Sequence, residues 1–195
     1  MSKRVVSKHL FNFRLNGILD DDVRRYEENK PMPSEKYLEA TKLLTHSNDE
    51  VFVSAMRTIV RADVTSKQQD PRFQKGIDDC QHTELKVPTS HDGKYEVTTL
   101  VHTPKDLIGK TSNAAIVYAH GGGVVACSAE MFKPYLANVA AECGVVLFNV
   151  DYRLAPEAKC PNNTLDFYEV VKYISTNAQK LNIDPNKIAI AGESG

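Results

Sequence analysis

The second half of the sequence alternates short apolar segments with amphipathic ones, and this alternation restricts the possible folds more than any other feature. Residues 132–143 and 164–178 place apolar side chains at the three- and four-residue spacing of a helix. Around them lie three apolar runs typical of strands buried on both faces, AAIVYAH (114–120), VVLFNV (145–150) and KIAIA (187–191). Strand, helix, strand, helix, strand predicts an α/β fold whose parallel sheet has right-handed crossovers.

Two segments before this series alternate polar with apolar residues, as half-exposed strands do. They are TELKVPT (83–89) and KYEVTTLVHTP (94–104), with the turn-like SHDGK (90–94) between them. The pattern predicts an antiparallel hairpin that leads into the parallel sheet with crossover helices. No covering helix follows the last apolar run, so we expect one sheet edge and part of one face to be exposed to water.

Residues 1–80 are rich in charges and contain no strand-like runs. A helix is predicted over 34–44, and SNDE (47–50) is a capping box that predicts the start of another. TSKQQDPRF (65–73) is predicted as a loop. The second helix has one apolar face, expected to be buried, made by Phe52, Ala55, Met56, Ile59 and Val60.

We divide the chain accordingly into a helical region, residues 1–80, and an α/β region, residues 81–195. The helical region is expected to fold over the carboxyl edge of the sheet as a cap or lid. Packing on the back of the sheet is the alternative for these helices.

Composition excludes several classes of protein. The formal net charge of −1 provides no basic face for a nucleic acid. No run of about 18 apolar residues predicts a membrane span, and the charged N-terminus does not resemble a signal peptide. We therefore expect a cytoplasmic protein with no integral membrane segment. A membrane-surface helix carrying Val5, Val6, Leu10 and Phe13 is an alternative to ordinary packing of the N-terminus.

The cysteines indicate neither a metal site nor a disulfide framework. Cys80, Cys127, Cys143 and Cys160 form no C-x-x-C pair and have no zinc-ligand spacing. Cys143 falls on the apolar side of a predicted helix, where a buried free thiol is expected. A reducing, intracellular setting fits this pattern.

Two unusual segments follow predicted parallel strands. HGGG, residues 120–123, comes directly after the first apolar run, and GESG, residues 192–195, after the third. Sites form beyond the carboxyl ends of parallel strands, so both segments are expected at one edge. The glycine amides can approach a ligand closely, and Ser194 lies on a strand-to-helix turn typical of a nucleophile elbow. Either segment alone is also typical of an ordinary turn.

The combination of HGGG, DYRLAPE (151–157) and DPNKIAIAGESG (184–195) resembles the hormone-sensitive-lipase-like branch of the α/β-hydrolase superfamily, which includes esterases and deacetylases. The resemblance covers about residues 82–195 in order and spacing. Residues 1–80 resemble the helical cap of that family in position only. The resemblance implies an α/β-hydrolase fold, truncated here at its nucleophile.

The resemblance also implies roles for single residues. Ser194 would be the nucleophile, the amides of Gly122, Gly123 and Gly195 would form the oxyanion hole, and Gly121 would shape the loop. Family members commonly have aspartate and alanine where this chain has Glu193 and Gly195. Because a backbone amide serves whichever residue carries it, we expect little effect on the hole.

Four nearby residues are expected to support the site without reacting. His120 precedes the glycine turn and is expected to hold it. Asp151, Arg153 and Glu157 belong to the DYRLAPE segment. We expect Arg153 and Glu157 to form a buried ion pair or a hydrogen-bond web that holds this loop beside the site.

A serine hydroxyl needs a base, and in the resembled arrangement the chain order is Ser, then Asp or Glu, then His. Every histidine of this chain precedes Ser194: His9, His46, His82, His91, His102 and His120. We therefore expect the acid and the histidine beyond Gly195. The 195-residue chain by itself is expected to show no appreciable ester turnover.

The resulting hypothesis is a serine hydrolase that acts on small-molecule carboxylic esters or amides and needs neither metal nor organic cofactor. A non-catalytic small-molecule receptor, such as the plant gibberellin receptor that resembles the same family, is the alternative. A histidine downstream favours the enzyme, and its lack favours the receptor. A short isoform that is unstable or acts as a decoy is a third possibility, which a transcript with a stop codon after Gly195 would reveal.

Overall fold

The computed structural model of the protein describes residues 35–44, 48–67 and 71–194. Three expectations lie outside these residues: the membrane-surface stripe at Val5–Phe13, the capping side chain of Ser47 and the amide of Gly195. The division of the chain at residue 80 stays a prediction.

The described residues form five helices of the α type and five strands. The helices are α1 (Glu35–Leu43), α2 (Asp49–Lys67), α3 (Pro71–Asp79), α4 (Ala129–Cys143) and α5 (Asn162–Thr176). The strands are β1 (Cys80–Pro88), β2 (Glu96–Pro104), β3 (Asn113–Ala119), β4 (Val146–Asp151) and β5 (Ile183–Gly192). Short 3-10 turns cover Lys105–Leu107 and Ala178–Leu181. The predicted hairpin and the predicted alternation of strands and helices are confirmed.

One mixed sheet contains the five strands in the order β1-β2-β4-β3-β5. The hairpin β1–β2 is antiparallel, and β2 joins the rest by antiparallel pairing with β4. Strand β3 pairs in parallel with β4 on one side and with β5 on the other. The chain passes from β3 to β4 on one side and then returns across β3 to β5 on the other, so the carboxyl ends of β3 and β5 lie side by side at the edge where open α/β sheets form their sites.

The core consists of two layers, one on each face of the sheet. Alternate strand side chains point to opposite faces, so the neighbours Leu147 and Phe148 of β4 are both buried but in different layers. Helix α4 covers the Leu147 face through Phe132 and Leu136. Helix α5 covers the Phe148 face through residues that include Val170 and Ile174.

Strand β5 is an edge strand with one face exposed to solvent, as expected. Ile183 at its start is buried, whereas Ile190 near its end is 62% exposed. The exposure follows from the position of β5, since β3 is its one partner in the described sheet.

The N-terminal helices differ from the prediction at two points. The amide of Val51 donates to Asn48 Oδ1 at 3.1 Å, so the described cap of α2 is Asn48. The prediction of a loop over 65–73 is wrong for all of its described residues, because α2 extends to Lys67 and α3 begins at Pro71. Proline is favoured at the first helical position, where its missing N–H costs nothing.

Helix α3 packs closely on α4 at a glycine. A Cβ at Gly76 would lie 2.4 Å from the Cα of Asn138, so the contact requires the absence of a side chain. This tertiary contact stabilises a helix whose first three residues were predicted to lie in a loop.

The expectation of a buried apolar face on α2 is wrong for most of its residues. Ala55 is buried, but Phe52 is 39% exposed, and Met56, Ile59 and Val60 are half-buried. Helix α2 packs mainly against α1, with little contact to α4 and the sheet below it. A single helix neighbour covers only part of such a face.

The expectation for the cysteines is wrong for Cys143, which is exposed as the last residue of α4. Cys80 is buried instead, and its thiol donates to the carbonyl of Ala137 at 3.4 Å. Burial raises the pKa of Cys80 to about 11.

Among the described helices, none is both long and apolar enough to cross a membrane.

Candidate active site

The two glycine-containing segments meet beyond the carboxyl ends of β3 and β5. The amides of Gly122 and Gly123 both donate to the carbonyl oxygen of Ser194, at 3.3 and 2.9 Å. The amide of Glu193 donates to the carbonyl of Ala119 at 3.3 Å, which continues the parallel pairing into the turn. The expected convergence of the two segments is therefore present in the backbone.

Gly121 lies directly against the turn that holds the serine. A Cβ at Gly121 would be 3.1 Å from the carbonyl oxygen of Glu193 and 3.6 Å from the Cβ of Ser194. Contacts this short leave almost no room for a side chain between the two segments. The close approach thus explains why a glycine follows His120.

Gly122 is the residue at which the loop turns most sharply. Its φ is +129°, and a Cβ there would lie 2.2 Å from the carbonyl oxygen of Ala126. The carbonyl of Gly122 accepts the amides of Val125 and Ala126 at 3.2 and 3.0 Å. Glycine is required at this position by both the conformation and the space.

Ser194 is exposed and adopts a conformation that L residues rarely adopt. Its φ is +44°, in the left-handed region, two residues after the exposed end of β5. Such backbone strain costs on the order of 1 to 3 kcal/mol and is concentrated at functional sites. A strained serine on a strand-to-turn corner is the geometry that a nucleophile elbow requires.

His120 is fully buried between two aromatic rings. It stacks on Tyr152 with ring centroids 4.4 Å apart and on Phe132 at 5.7 Å. Its Nδ1 lies 2.9 Å from the carbonyl of Gly121, and the Tyr152 hydroxyl donates to the His120 carbonyl at 2.5 Å. Burial lowers the pKa of His120, so the ring is neutral and its Nδ1–H is the donor. These contacts fix the start of the glycine loop.

Asp151 anchors the helix that follows the glycine loop. Its Oδ1 accepts the amide of Ala129, the first residue of α4, at 2.7 Å. Ser128 caps the same helix by accepting the amide of Met131 at 3.4 Å. A carboxylate at a helix N-terminus is favoured by the unpaired amides there.

The expected ion pair between Arg153 and Glu157 is wrong. Arg153 instead donates to both carboxylate oxygens of the fully buried Asp166, at 2.9 and 2.8 Å, and to Asp92 at 2.9 Å. Its guanidinium also lies 3.9 Å from the centre of the Tyr95 ring. Arg153 thus joins α5 and the hairpin turn to the loop after β4, a structural role in agreement with the expectation for this residue.

Glu157 pairs with an arginine that sequence reasoning missed. Two guanidinium nitrogens of Arg57, on α2, donate to its carboxylate oxygens at 2.8 and 2.7 Å. This arginine lowers the pKa of Glu157 to about 2. The residues are 100 positions apart and Arg57 adjoins an apolar stripe, so nothing in the local pattern indicates the pair.

The described histidines are all engaged away from Ser194. His82 and His102 approach each other with their Nδ1 atoms 2.9 Å apart, and His91 lies 3.0 Å from Arg153. Within the described ranges, no hydrogen bond joins a histidine to the serine side chain, and no cluster of residues has the makings of a metal site.

A small apolar cavity opens beside the glycine loop. Its volume is about 150 Å³, and it lies against α5. Its lining consists of Ala119, Val124, Tyr152, Asn163, Thr164 and Phe167.

Comparison with known proteins identifies the class to which this fold belongs. Residues 116–195 match the sequence model of a family described as the alpha/beta hydrolase fold. The solved structure of a bacterial heroin esterase is 31% identical with a TM-score of 0.62, over 82% of this chain and 48% of that one.

Two relatives found by sequence similarity are also hydrolases by name. The mouse hormone-sensitive lipase is 35% identical over 101 residues, which are 52% of this chain and 13% of the lipase. An ethyl acetate hydrolase of Pseudomonas putida is 32% identical over 106 residues, 54% of this chain and 33% of the relative. The chain therefore spans at most about a third of the length of these two relatives.

The fold and the placement of the glycine loop define an α/β hydrolase. Within that fold, the chain is similar in sequence to a hormone-sensitive lipase and to an ethyl acetate hydrolase, in agreement with the resemblance of its three motifs.

Proposed function

We propose that the complete protein is a serine hydrolase of carboxylic esters, of the carboxylesterase, lipase or deacetylase type. Ser194 is the nucleophile, and the amides of Gly122, Gly123 and Gly195 form the oxyanion hole. One observation carries the proposal: two adjacent glycine amides donate to a single carbonyl oxygen at the turn that bears the serine. That oxygen belongs to Ser194 itself, and it stands in for the carbonyl oxygen of a substrate.

The proposed reaction follows from this arrangement. The Ser194 hydroxyl gives its proton to the base as its oxygen attacks the ester carbonyl carbon, the C=O electron pair moves onto oxygen, and the glycine amides stabilise the resulting oxyanion. Collapse of this intermediate expels the alcohol, which takes a proton from the base, and water then hydrolyses the acyl enzyme. The Ser194 carbonyl has to vacate the amides before substrate enters.

The base and its orienting acid come, in this proposal, from residues that follow Gly195. The described histidines support this view because each is engaged elsewhere, and the order Ser, acid, His is that of the fold. The reaction itself involves no cofactor.

The substrate class in the proposal is a small molecule with an ester or amide bond. The mouse lipase, the Pseudomonas ethyl acetate hydrolase and the bacterial heroin esterase are all named for the hydrolysis of esters. The cavity against α5 is suited to hold an apolar part of such a substrate. A cytoplasmic setting remains part of the proposal.

Labelling of the complete protein with a fluorophosphonate tests the proposal. Wild type is expected to be labelled and to hydrolyse p-nitrophenyl esters, whereas Ser194→Ala loses both, with a fall in kcat of about 10⁵-fold or more. Ser175→Ala, an exposed serine on α5, is the matched control and should behave as wild type. Equal labelling of wild type and Ser194→Ala would contradict the proposal, and specific ligand binding without turnover would favour the receptor alternative.

A further inference from the structure

Arg57 of α2 connects three parts of the chain through one guanidinium group. Its Nε–H donates to the carbonyl of Val125 at 2.9 Å, and Nη2 donates to the carbonyl of Ala155 at 3.2 Å. The Nη atoms also hold the carboxylate of Glu157, as described above. Val125 lies in the loop after β3, and Ala155 and Glu157 lie in the loop after β4.

The two loops are bonded to each other at the same place. The amide of Ala155 donates to the carbonyl of Val124 at 2.9 Å. Val124 directly follows Gly123, so the contact of Ala155 falls one residue, and that of Arg57 two residues, beyond a proposed oxyanion donor. Any shift of this segment changes the direction of the Gly123 amide.

The segment that Arg57 holds is strained. Val124 has φ +55°, and a β-branched residue in the left-handed region is a true outlier. Such conformations persist only where surrounding contacts over-determine them. The bonds from Ala155 and Arg57 to the carbonyls of Val124 and Val125 supply that constraint, on the C-terminal side of the strained torsion.

The ion pair between Arg57 and Glu157 does not by itself account for the fixed position of this segment. The side chains of Arg57 and Glu157 are 35% and 63% exposed, and an ion pair exposed to this degree contributes little to stability. The specific feature is the fork of guanidinium donors, which reaches two carbonyls and a carboxylate together. A lysine ammonium, with donors around one nitrogen, does not span those three acceptors.

We propose that Arg57 is a positioning residue for the oxyanion loop, with Glu157 orienting its guanidinium. This inference rests on the proposed function. It adds that helix α2, in the N-terminal region, sets the orientation of the glycine N–H groups. Because those amides act mainly on the transition state, loss of Arg57 lowers kcat more than it raises KM.

The test compares kcat and KM of the complete protein for Arg57→Gln, Arg57→Lys and Glu157→Gln. Active sites are counted by fluorophosphonate titration, so that unfolded material does not enter kcat. Arg57→Gln is expected to lose about 10- to 100-fold in kcat with KM within about threefold, and Arg57→Lys is expected to recover little of it. Glu157→Gln keeps both carbonyl bonds and should lose less than Arg57→Gln. Arg61→Gln, an exposed arginine one turn along α2, is the control and should match wild type.

Chemical rescue separates positioning from plain stability. In Arg57→Ala, millimolar methylguanidinium is expected to restore part of kcat, whereas methylammonium is not. A wild-type kcat in Arg57→Gln would overturn the proposal, as would a loss that methylguanidinium leaves unchanged. Failure of the proposed function is a separate result, because it shows as Ser194-independent labelling in the protein with Arg57 intact.

Discussion

Single glycines and one arginine determine the geometry at the residue scale. Gly121 allows the loop to touch the Glu193–Ser194 turn, and Gly122 allows the loop to reverse within the space left by Ala126. Arg57 then holds the strained segment that follows. The catalytic proposal thus depends on backbone positions, which side chains fix from outside.

Gly122→Ala tests the backbone requirement. The new Cβ would collide with the Ala126 carbonyl at 2.2 Å, so the loop has to move and the Gly122 and Gly123 amides lose their common target. We expect kcat of the complete protein to fall by about 10²-fold or more, the cost of losing one oxyanion donor. Steady-state kinetics on a p-nitrophenyl ester measure this loss.

Gly93→Ala is the control, because a Cβ there meets nothing within 4 Å. Its kcat should equal that of wild type. An unchanged kcat in Gly122→Ala would show that the loop does not supply the oxyanion donors.

At the element scale, the loop after β4 is held in place by side chains from distant elements. Arg153 finds Asp166 on α5 and Asp92 in the hairpin turn, while Glu157 finds Arg57 on α2. The sequence predicted that Arg153 and Glu157 stabilise this loop but paired them with each other, because they are neighbours in one motif. Pairing across 61 to 100 positions depends on how the elements pack, which a local pattern does not contain.

Strands were more predictable than helix burial for a physical reason. A run such as VVLFNV has one stable environment, the centre of a sheet, so β4 follows from composition alone. The apolar face of α2 needs a neighbour to cover it, and the sequence does not tell how much of it α1 covers. Helix α3 was missed because a tertiary contact at Gly76 stabilises it.

The histidine pair between β1 and β2 predicts a pH dependence of stability. His82 Nε2–H donates to the carbonyl of Ile77, so its Nδ1 accepts from the Nδ1–H of the fully buried His102. The His102 Nε2 has no hydrogen-bond partner. Burial, with a smaller effect of His82, lowers the pKa of His102 to about 3.

Between the ordinary histidine pKa of about 6.5 and the lowered value, the unfolded chain binds a proton at this residue that the folded chain does not. The free energy of unfolding therefore falls as the pH falls through this window, by up to about 1.4 kcal/mol per pH unit. Urea unfolding at pH 6.5 and pH 5 measures the slope, and His102→Gln is expected to reduce it. An equal slope in both proteins would show that His102 does not carry the effect.

At the scale of the whole molecule, the described residues bring together the proposed nucleophile and the proposed oxyanion donors, while each described histidine is engaged with other groups. The 195-residue chain is therefore expected to show no Ser194-dependent hydrolysis of a p-nitrophenyl ester, whereas the complete protein does. Parallel assays at equal protein concentration, each with its Ser194→Ala variant, measure the difference. Turnover by the 195-residue chain that disappears in its Ser194→Ala variant would contradict this expectation.

The central claim is that the glycine N–H groups and the Ser194 hydroxyl converge on one position at the edge of the sheet, large enough for a substrate carbonyl group. A crystal structure of the complete protein with a phosphonate bound to Ser194 tests it most directly. The account predicts a phosphonyl oxygen about 2.7 to 3.1 Å from the amides of Gly122 and Gly123, where the Ser194 carbonyl oxygen now lies. A phosphonyl oxygen that points away from both amides would contradict it.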